Sequence, residues 1–522
     1  MLKPLPIGIQ TFKDIIEGGF LYVDKTKWIY ELIKYPKGVY FLARPRRFGK
    51  STLISTLKEI FEGNRELFQR LWLYDSPYGW EAYPIIRLDF SLSRVENAEA
   101  LKRSIKRDMS RIAQQYQVGI GEGEYYEQFA ELIFKLATKN KVVVLIDEYD
   151  KPIIDNIGNV KEAGQIRDVL KGFYTVIKGM DEYLRFVLLT GISKFSKVGV
   201  FSGLNNLLDL TMSPVFSSGL GIAEEEIGTY FGDYIADFAE REGISTDQLL
   251  KEMRYWYNGF CFAPSGQNVY NPFSLLLLFF HQRFGNYWFE SGTPTFLIKL
   301  IRESGYDVKQ IDRLEIDELS FSSYEIEDLR VVPLLFQTGY LTIKDYNKES
   351  RLYKLYYPNY EVEHAFLSYL LDSFSHVESG LVSGYLWKLV SALAEKAFER
   401  FFEILEVFFA EIPYDIQIKQ ERYYQTIFYL LFKLIGLKVS TEVRTNRGRI
   451  DAVVELEEGI FIFEFKLDGS EMEALKQIKE MAYFERYKLK EKEIHLVGVR
   501  FEAEKRGIGG WQVEKLTCKN PD

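Results

Sequence analysis

Two short strings carry residues whose types and spacing suit phosphate chemistry. In "FLARPRRFGKSTL", Phe41 to Leu53, the trio Gly49-Lys50-Ser51 stands where an apolar run gives way to an amphipathic one. At a strand-to-helix junction, free N–H groups and the positive end of the helix dipole attract phosphate. Lys50 would reach the terminal phosphates of ATP and Ser51 would ligate magnesium, with Arg44, Arg46, Arg47, Gly49 and Thr52 as further candidates around the nucleotide. The general pattern GxxxxGK[ST] asks for glycine at position 44, where this chain has Arg44. Taken alone, the string therefore reads equally as a basic turn before a helix.

About a hundred residues later, "VVVLIDEYD" places Asp147 and Glu148 at the end of an apolar run. Asp147 suits a magnesium ligand and Glu148 a group that polarises the attacking water. Such a pair is costly at a buried strand end unless a cation or hydrogen bonds compensate it, and a solvated strand end is the plain alternative. A further run, "RFVLLTGIS", ends in Thr190 and Ser193. These suit sensing a γ-phosphate or positioning water, or Ser193 simply caps a helix.

The second string, "GRIDAVVELEEGIFIFEFKLDG", predicts two apolar strands around a tight turn at Glu457 to Gly459. A loop centred on Glu457-Glu458 sets Asp451 opposite Glu464, and one centred on Glu458-Gly459 sets it opposite Lys466. Either register gathers Asp451, Glu464 and Lys466 on one face, whereas a one-residue slip breaks the group. Two carboxylates bind a divalent metal such as magnesium, and a nearby lysine activates water or neutralises a phosphorane-like charge. A hairpin with a cross-strand salt bridge uses the same three residues.

Elements must hold these groups in place. From about Lys37 to Ser196, short apolar runs alternate with amphipathic stretches, which predicts an α/β nucleotide-binding fold: a parallel sheet with helices on both faces. A mainly helical middle region contains a hairpin at "LTIKDYNKESRLYKLYYPN", and helix, hairpin and helix together suit a small winged-helix-like lid. From about Ile416 the order is helix, three strands, helix, strand. The expected domains are residues 1–220, 221–410 and 411–522.

Composition bounds the function. With 522 residues, 47% hydrophobic and 16% aromatic, the chain is long enough for more than one core and apolar enough to fill them. Its net charge of -9 argues against a globally basic nucleic-acid coat and leaves room for a local cationic groove. Two distant cysteines and four scattered histidines give no disulfide framework and no zinc or histidine-nucleophile pattern; His495 reads as a core or edge residue. No signal peptide is recognised and "NPFSLLLLFF" is too short to span a bilayer, so the expectation is a soluble cytoplasmic protein without membrane contact. Aromatics in that run and in "FYLLF" read as helix core.

Several strings together carry a family resemblance. "LPIGIQTFKDIIEGGFLYVDKTKWIYELI", "RPRRFGKSTL", "LIDEYDKPI", "TGISKFSKVGVFSGLNNLLDLT", "YNGF", "VYNPFSLL" and "LLFQTGYLTI" resemble the AAA-ATPase-like family of prokaryotic proteins over most of the first 370 residues. In that family's form of the loop, Arg44 belongs. The resemblance implies an ATPase of the additional-strand P-loop class, with Tyr22 to Lys25 near the base. Helix, strands and D...ExK from about Ile416 to Phe501 are similar to the PD-(D/E)XK nuclease superfamily, with a restriction-endonuclease-like α/β fold. That likeness implies Asp451 and Glu464 as metal ligands, Lys466 as catalytic lysine, and support from Gln477 and Tyr483. Glu442 and Glu421 are candidates for a further acid, and "GRID" replaces the Pro-Asp dipeptide.

The leading expectation is thus an ATPase coupled to a magnesium-dependent endo- or exonuclease acting on DNA or RNA. The alternative is an ATP-dependent switch whose C-terminal domain binds nucleic acid or a partner without cutting. Oligomeric state, and any arginine finger from a neighbouring subunit, stay open.

Overall fold

The computed structural model describes residues 2–92, 95–194, 200–201, 203–204, 206–290, 295–321, 329–377, 379–412, 421–438, 452–467, 469–482, 484–490, 492–502 and 507–516. The apolar runs near the N-terminus become β1 (Gly38–Ala43), β2 (Ile85–Asp89), β3 (Val142–Asp147) and β4 (Leu184–Gly191), joined by a short β5 (Leu208–Asp209). They form one sheet in the order β2-β3-β4-β1-β5, with every pairing parallel. Strand β4 lies between β1 and β3, which is the additional-strand arrangement. Strands β3 and β4 are buried at every position, so both faces of the sheet are covered and alternation is absent from their sequences.

Helices Lys50–Phe61, Ala98–Gln115, Tyr125–Leu136 and Val160–Gly179 flank the strands. Asn97 and Asn159 cap two of them through their side chains. Phe129 and Phe173 stack at 4.3 Å, joining two helices on one side. Ahead of β1, helix Phe12–Glu17 is tied to helix Lys50–Phe61 by the Phe12 N–H, which donates to Ser55 Oγ at 2.9 Å.

The chain divides into two units, Met1–Thr293 with Leu314–Val362, and Pro294–Arg313 with Glu363–Asp522. The first adds to the sheet a helical cluster, Glu224–Glu242, Thr246–Tyr257 and Pro272–His281, around Phe231, Leu249, Leu275 and Phe279. Two short strands there, β6 (Ile222–Ala223) and β7 (Val269–Tyr270), pair antiparallel. The expected hairpin forms as β9 (Thr342–Asn347) and β10 (Leu352–Tyr356), and β8 (Glu315–Ile316) joins it as a third strand.

The second unit holds a four-stranded sheet, β11 (Ala452–Glu455), β12 (Ile460–Leu467), β13 (Ile494–Glu502) and β14 (Gly507–Leu516), in that order. Strands β12 and β13 run parallel and the outer pairings are antiparallel. Alternation in "IFIFEFK" sorts its residues by face. Phe463 and Phe465 pack on Phe401, Phe428 and Phe432 of helices Phe398–Ala410 and Glu421–Lys438. Ile460 and Ile462 meet Leu475 and Ile478 of helix Glu471–Glu480. The helical aromatics of "FYLLF" are core, as expected. Among the described residues, no helix is long and apolar enough to cross a membrane.

Candidate functional site

The first site forms where β1 turns into helix Lys50–Phe61. Gly49 closes the loop at φ 87°, a left-handed conformation that glycine adopts without a Cβ penalty, and Arg47 shares that region at φ 66°. Phe48 anchors the turn between Phe260 and Phe262. The loop carbonyls are held from outside: Trp288 Nε1 donates to the Arg46 oxygen at 3.0 Å, and Asn271 Nδ2 to the Arg47 oxygen at 3.5 Å. The Arg46 and Arg47 side chains line a cavity of about 430 Å³ together with Gly49, Lys50, Ser51 and Thr52. Arg47 also lies 4.5 Å from the centroid of the Phe273 ring.

Arg44 departs from the expectation. It is 1% exposed and donates to the carbonyls of Ala43, Thr211 and Phe216, with its guanidinium 4.3 Å from the Phe262 centroid. Burial pulls its pKa down to about 9. The residue that replaces the general motif's first glycine clamps the loop to the segment after β5 and does not line the cavity.

Lys50 is buried, and its Nζ donates to the Arg44 and Pro45 carbonyls at 2.9 and 3.0 Å. Burial lowers its pKa, with Asp147, Glu148 and Asp150 opposing the fall. Those carboxylates come from the end of β3. Asp147 is 1% exposed; its Oδ1 accepts from Thr190 Oγ1 at 2.6 Å and from the Glu148 N–H at 3.1 Å. Its Oδ2 has no hydrogen-bond partner among the described residues. A buried, ionisable oxygen without a partner fits a cation. Thr190 thus orients the aspartate. Glu148 lines the cavity from a left-handed φ of 50°, a strain of about 1–3 kcal/mol, and burial raises its pKa.

Ser193 pairs with Asp150: its N–H and Oγ donate to Asp150 Oδ2 at 2.7 and 2.6 Å, joined by the Ile192 N–H at 3.1 Å. Burial raises the Asp150 pKa while the Ser193 hydrogen bonds oppose it. Asp150, Ser91, Lys151 and Phe273 are site residues that sequence reasoning missed. The third acid of "DEYD" is visible there, but its buried partner Ser193 comes from another strand end.

The second site lies on β12 and the helix beside it. Glu464 is 3% exposed, and Lys466 Nζ sits 3.6 Å from its Oε1. Gln477 bridges the two, its Nε2 donating to Glu464 Oε1 and its Oε1 accepting from Lys466 Nζ. Ser470 caps helix Glu471–Glu480 in a capping box with Glu473, which sets the direction from which Gln477 arrives. Close docking requires Gly498, the register partner of Glu464: a Cβ there would fall 2.2 Å from the Glu471 carbonyl oxygen. Arg500, opposite Lys466, ties Glu471 at 3.2 Å and Glu502 at 2.6 Å.

The β11–β12 register pairs Ala452 with Phe463 and Glu455 with Ile460, as for a loop centred on Glu457-Glu458. Asp451, Glu442 and Tyr483 lie outside the described residues, as do residues 439–446 of the strand expected at "LKVSTEVRTN", whose first two residues instead end helix Glu421–Lys438; the Glu421 side chain is likewise outside. Among the described residues, no group of three or more His, Cys, Asp or Glu side chains is placed to hold a metal ion. His495 is a buried core histidine stacked on Phe461 at 5.2 Å, and burial lowers its pKa.

Two family models match the chain. One, described as "Predicted AAA-ATPase", covers residues 6–201, and the other, "PD-(D/E)XK nuclease superfamily", covers residues 419–511. The chain is also 38% identical over 527 residues to "Uncharacterized protein in vnfD 5'region" of Azotobacter chroococcum mcd 1, spanning 98% of this chain and 99% of that one.

Proposed function

The chain belongs to the AAA-ATPase-like family and carries a PD-(D/E)XK nuclease superfamily domain, and from this we propose that it hydrolyses ATP at the first site and cleaves DNA or RNA at the second. The observation that carries the reading is convergence: Arg46, Arg47, Lys50, Ser51 and Glu148 reach one cavity from different strand ends.

In this reading Lys50 exchanges the Arg44 and Pro45 carbonyls for phosphate oxygens. A buried ammonium gains a counter-charge in place of two neutral acceptors, so binding is favoured by the burial that lowers its pKa in the free protein. Arg46 and Arg47 add positive charge at the open rim, and Thr52 lies in the first turn of the helix. Glu148 takes a proton from the attacking water, its strained backbone aiming the side chain into the cavity. A divalent cation, held by Ser51 and Asp147 in the first site and by Asp451 and Glu464 in the second, supplies charge neutralisation at phosphate oxygens and an acidified water. At the second site Lys466 stabilises the charge that develops on the scissile phosphate, and Gln477 fixes its ammonium against Glu464.

Calorimetric titration with ATP and magnesium tests the first half. The intact chain is expected to bind saturably, and Lys50→Ala to weaken binding by about 100-fold, as for a lost charge-assisted contact. Absence of saturable binding by the intact chain contradicts the reading.

A further inference from the structure

The phosphate loop is gripped from outside by residues that follow the parallel sheet in sequence, and these meet at one buried carboxylate. Glu361 is fully buried in the first turn of helix Tyr360–Ser375. Its Oε1 accepts from the Trp288 N–H at 2.7 Å and its Oε2 from Ser274 Oγ at 2.8 Å. Trp288 in turn donates its indole N–H to the Arg46 carbonyl, and the Ser274 N–H donates at 3.0 Å to Asn271 Oδ1, whose amide reaches the Arg47 carbonyl. Gly339 completes the grip at Pro45: with φ at 89°, a Cβ there would fall 2.7 Å from Pro45 Cγ and 3.3 Å from the Trp288 ring. The segment that delivers Glu361 is itself fixed. Asn359 Oδ1 accepts from the Val362 N–H at 3.1 Å, and the Pro358 carbonyl accepts from Lys344 Nζ at 2.7 Å.

A carboxylate buried this deeply is costly unless strong hydrogen bonds compensate it, so the place where those bonds lead is informative. Here they lead to the loop. In the free protein Lys50 ties the loop from inside through the Arg44 and Pro45 carbonyls. In the ATP reading that ammonium moves to phosphate, so the inner ties are released just when the loop N–H groups must hold their places. The outer ties to the Arg46 and Arg47 carbonyls then keep the loop in shape. We propose that Glu361 is a positioning residue for ATP: it fixes Trp288 and Asn271 against the phosphate loop and so pre-organises the loop for the nucleotide. The proposal rests on the ATP reading of the cavity. Side-chain length, rather than charge, is what this role demands. Glutamine spans the same two partners, accepting from the Trp288 N–H and donating to Ser274 Oγ. Aspartate keeps the charge and is one methylene too short to meet both.

The test is calorimetric titration of the full chain with ATP and magnesium, paired with steady-state ATPase rates. Glu361→Asp is expected to weaken ATP binding and raise KM about tenfold, with kcat within roughly threefold of the intact chain. Glu361→Gln should stay within about threefold in both. Trp288→Phe keeps a ring and removes the indole donor, and ATP affinity should fall roughly 3- to 10-fold. Combined with Glu361→Asp it should weaken binding by less than about twofold further, because both changes act through one contact. If the intact chain does not bind ATP, the ATP reading itself falls. If it does, the role of Glu361 is overturned by unchanged affinity in Glu361→Asp or in Trp288→Phe, by Glu361→Gln binding as weakly as Glu361→Asp, or by losses that multiply in the double variant.

Discussion

The phosphate cavity and the Glu464–Gln477–Lys466 network hold charged side chains still in different ways. In the cavity, the backbone does most of the holding: Lys50 rests on two carbonyls, and Asp147 and Asp150 accept from backbone N–H groups and hydroxyls. In the network, side chains hold side chains, and one amide serves an acid and an ammonium together. A site held by backbone depends on loop conformation, which Gly49 and the buried Arg44 maintain. A site held by side chains depends on strand register and on a helix docked over Gly498. Damage should therefore differ: removing a cavity residue leaves its neighbours placed, whereas removing one network residue loosens the other two.

The largest expected effect is on the network. Lys466→Ala should lower nucleic-acid cleavage about 10²- to 10⁴-fold in gel assays while ATP affinity by calorimetry is unchanged. Loss of ATP affinity as well would break the separation of the two chemistries. Next comes Glu148→Gln, expected to reduce ATP hydrolysis on the order of 10²-fold or more with ATP binding retained. The same residue sets a pH test. Its folded pKa lies above the ordinary 4.5, so the ionised base is lost sooner on acidification, and the acidic limb of the ATPase profile should have its midpoint above 4.5. A midpoint at or below that value would remove Glu148 from the role. The smallest effect is Gln477→Ala, about 10- to 100-fold on cleavage as for a lost supporting contact to a ligand. An unchanged rate would show that Glu464 and Lys466 are held by other means.

The parallel sheet was legible because β3 and β4 are buried on both faces and read as unbroken apolar runs. Strands β5, β6, β7 and β8 span two residues each, too few to show any period, and β14, "GIGGWQVEKL", is glycine-rich and largely half-buried or exposed. At the second site, alternation along β12 is enough to put Glu464 and Lys466 on one face, and the observed register agrees with one of the two possible loops. At the first, the motif named Lys50 and Asp147, but burial is not a local property of sequence. Arg44 looked like a phosphate ligand because arginine usually seeks anions; its partners Thr211 and Phe216 lie about 170 residues away, at separations of 167 and 172. Asp150 went unassigned for the same reason, since Ser193 reaches it from the end of another strand.

The most direct test of two chemistries in one chain is cleavage of single- and double-stranded DNA and RNA, with ATP and magnesium varied independently, in the intact protein and in Asp451→Ala. Metal-dependent cleavage of at least one substrate, abolished by Asp451→Ala, is the predicted result. Survival of all four substrates with magnesium or manganese, with and without ATP, would contradict the account.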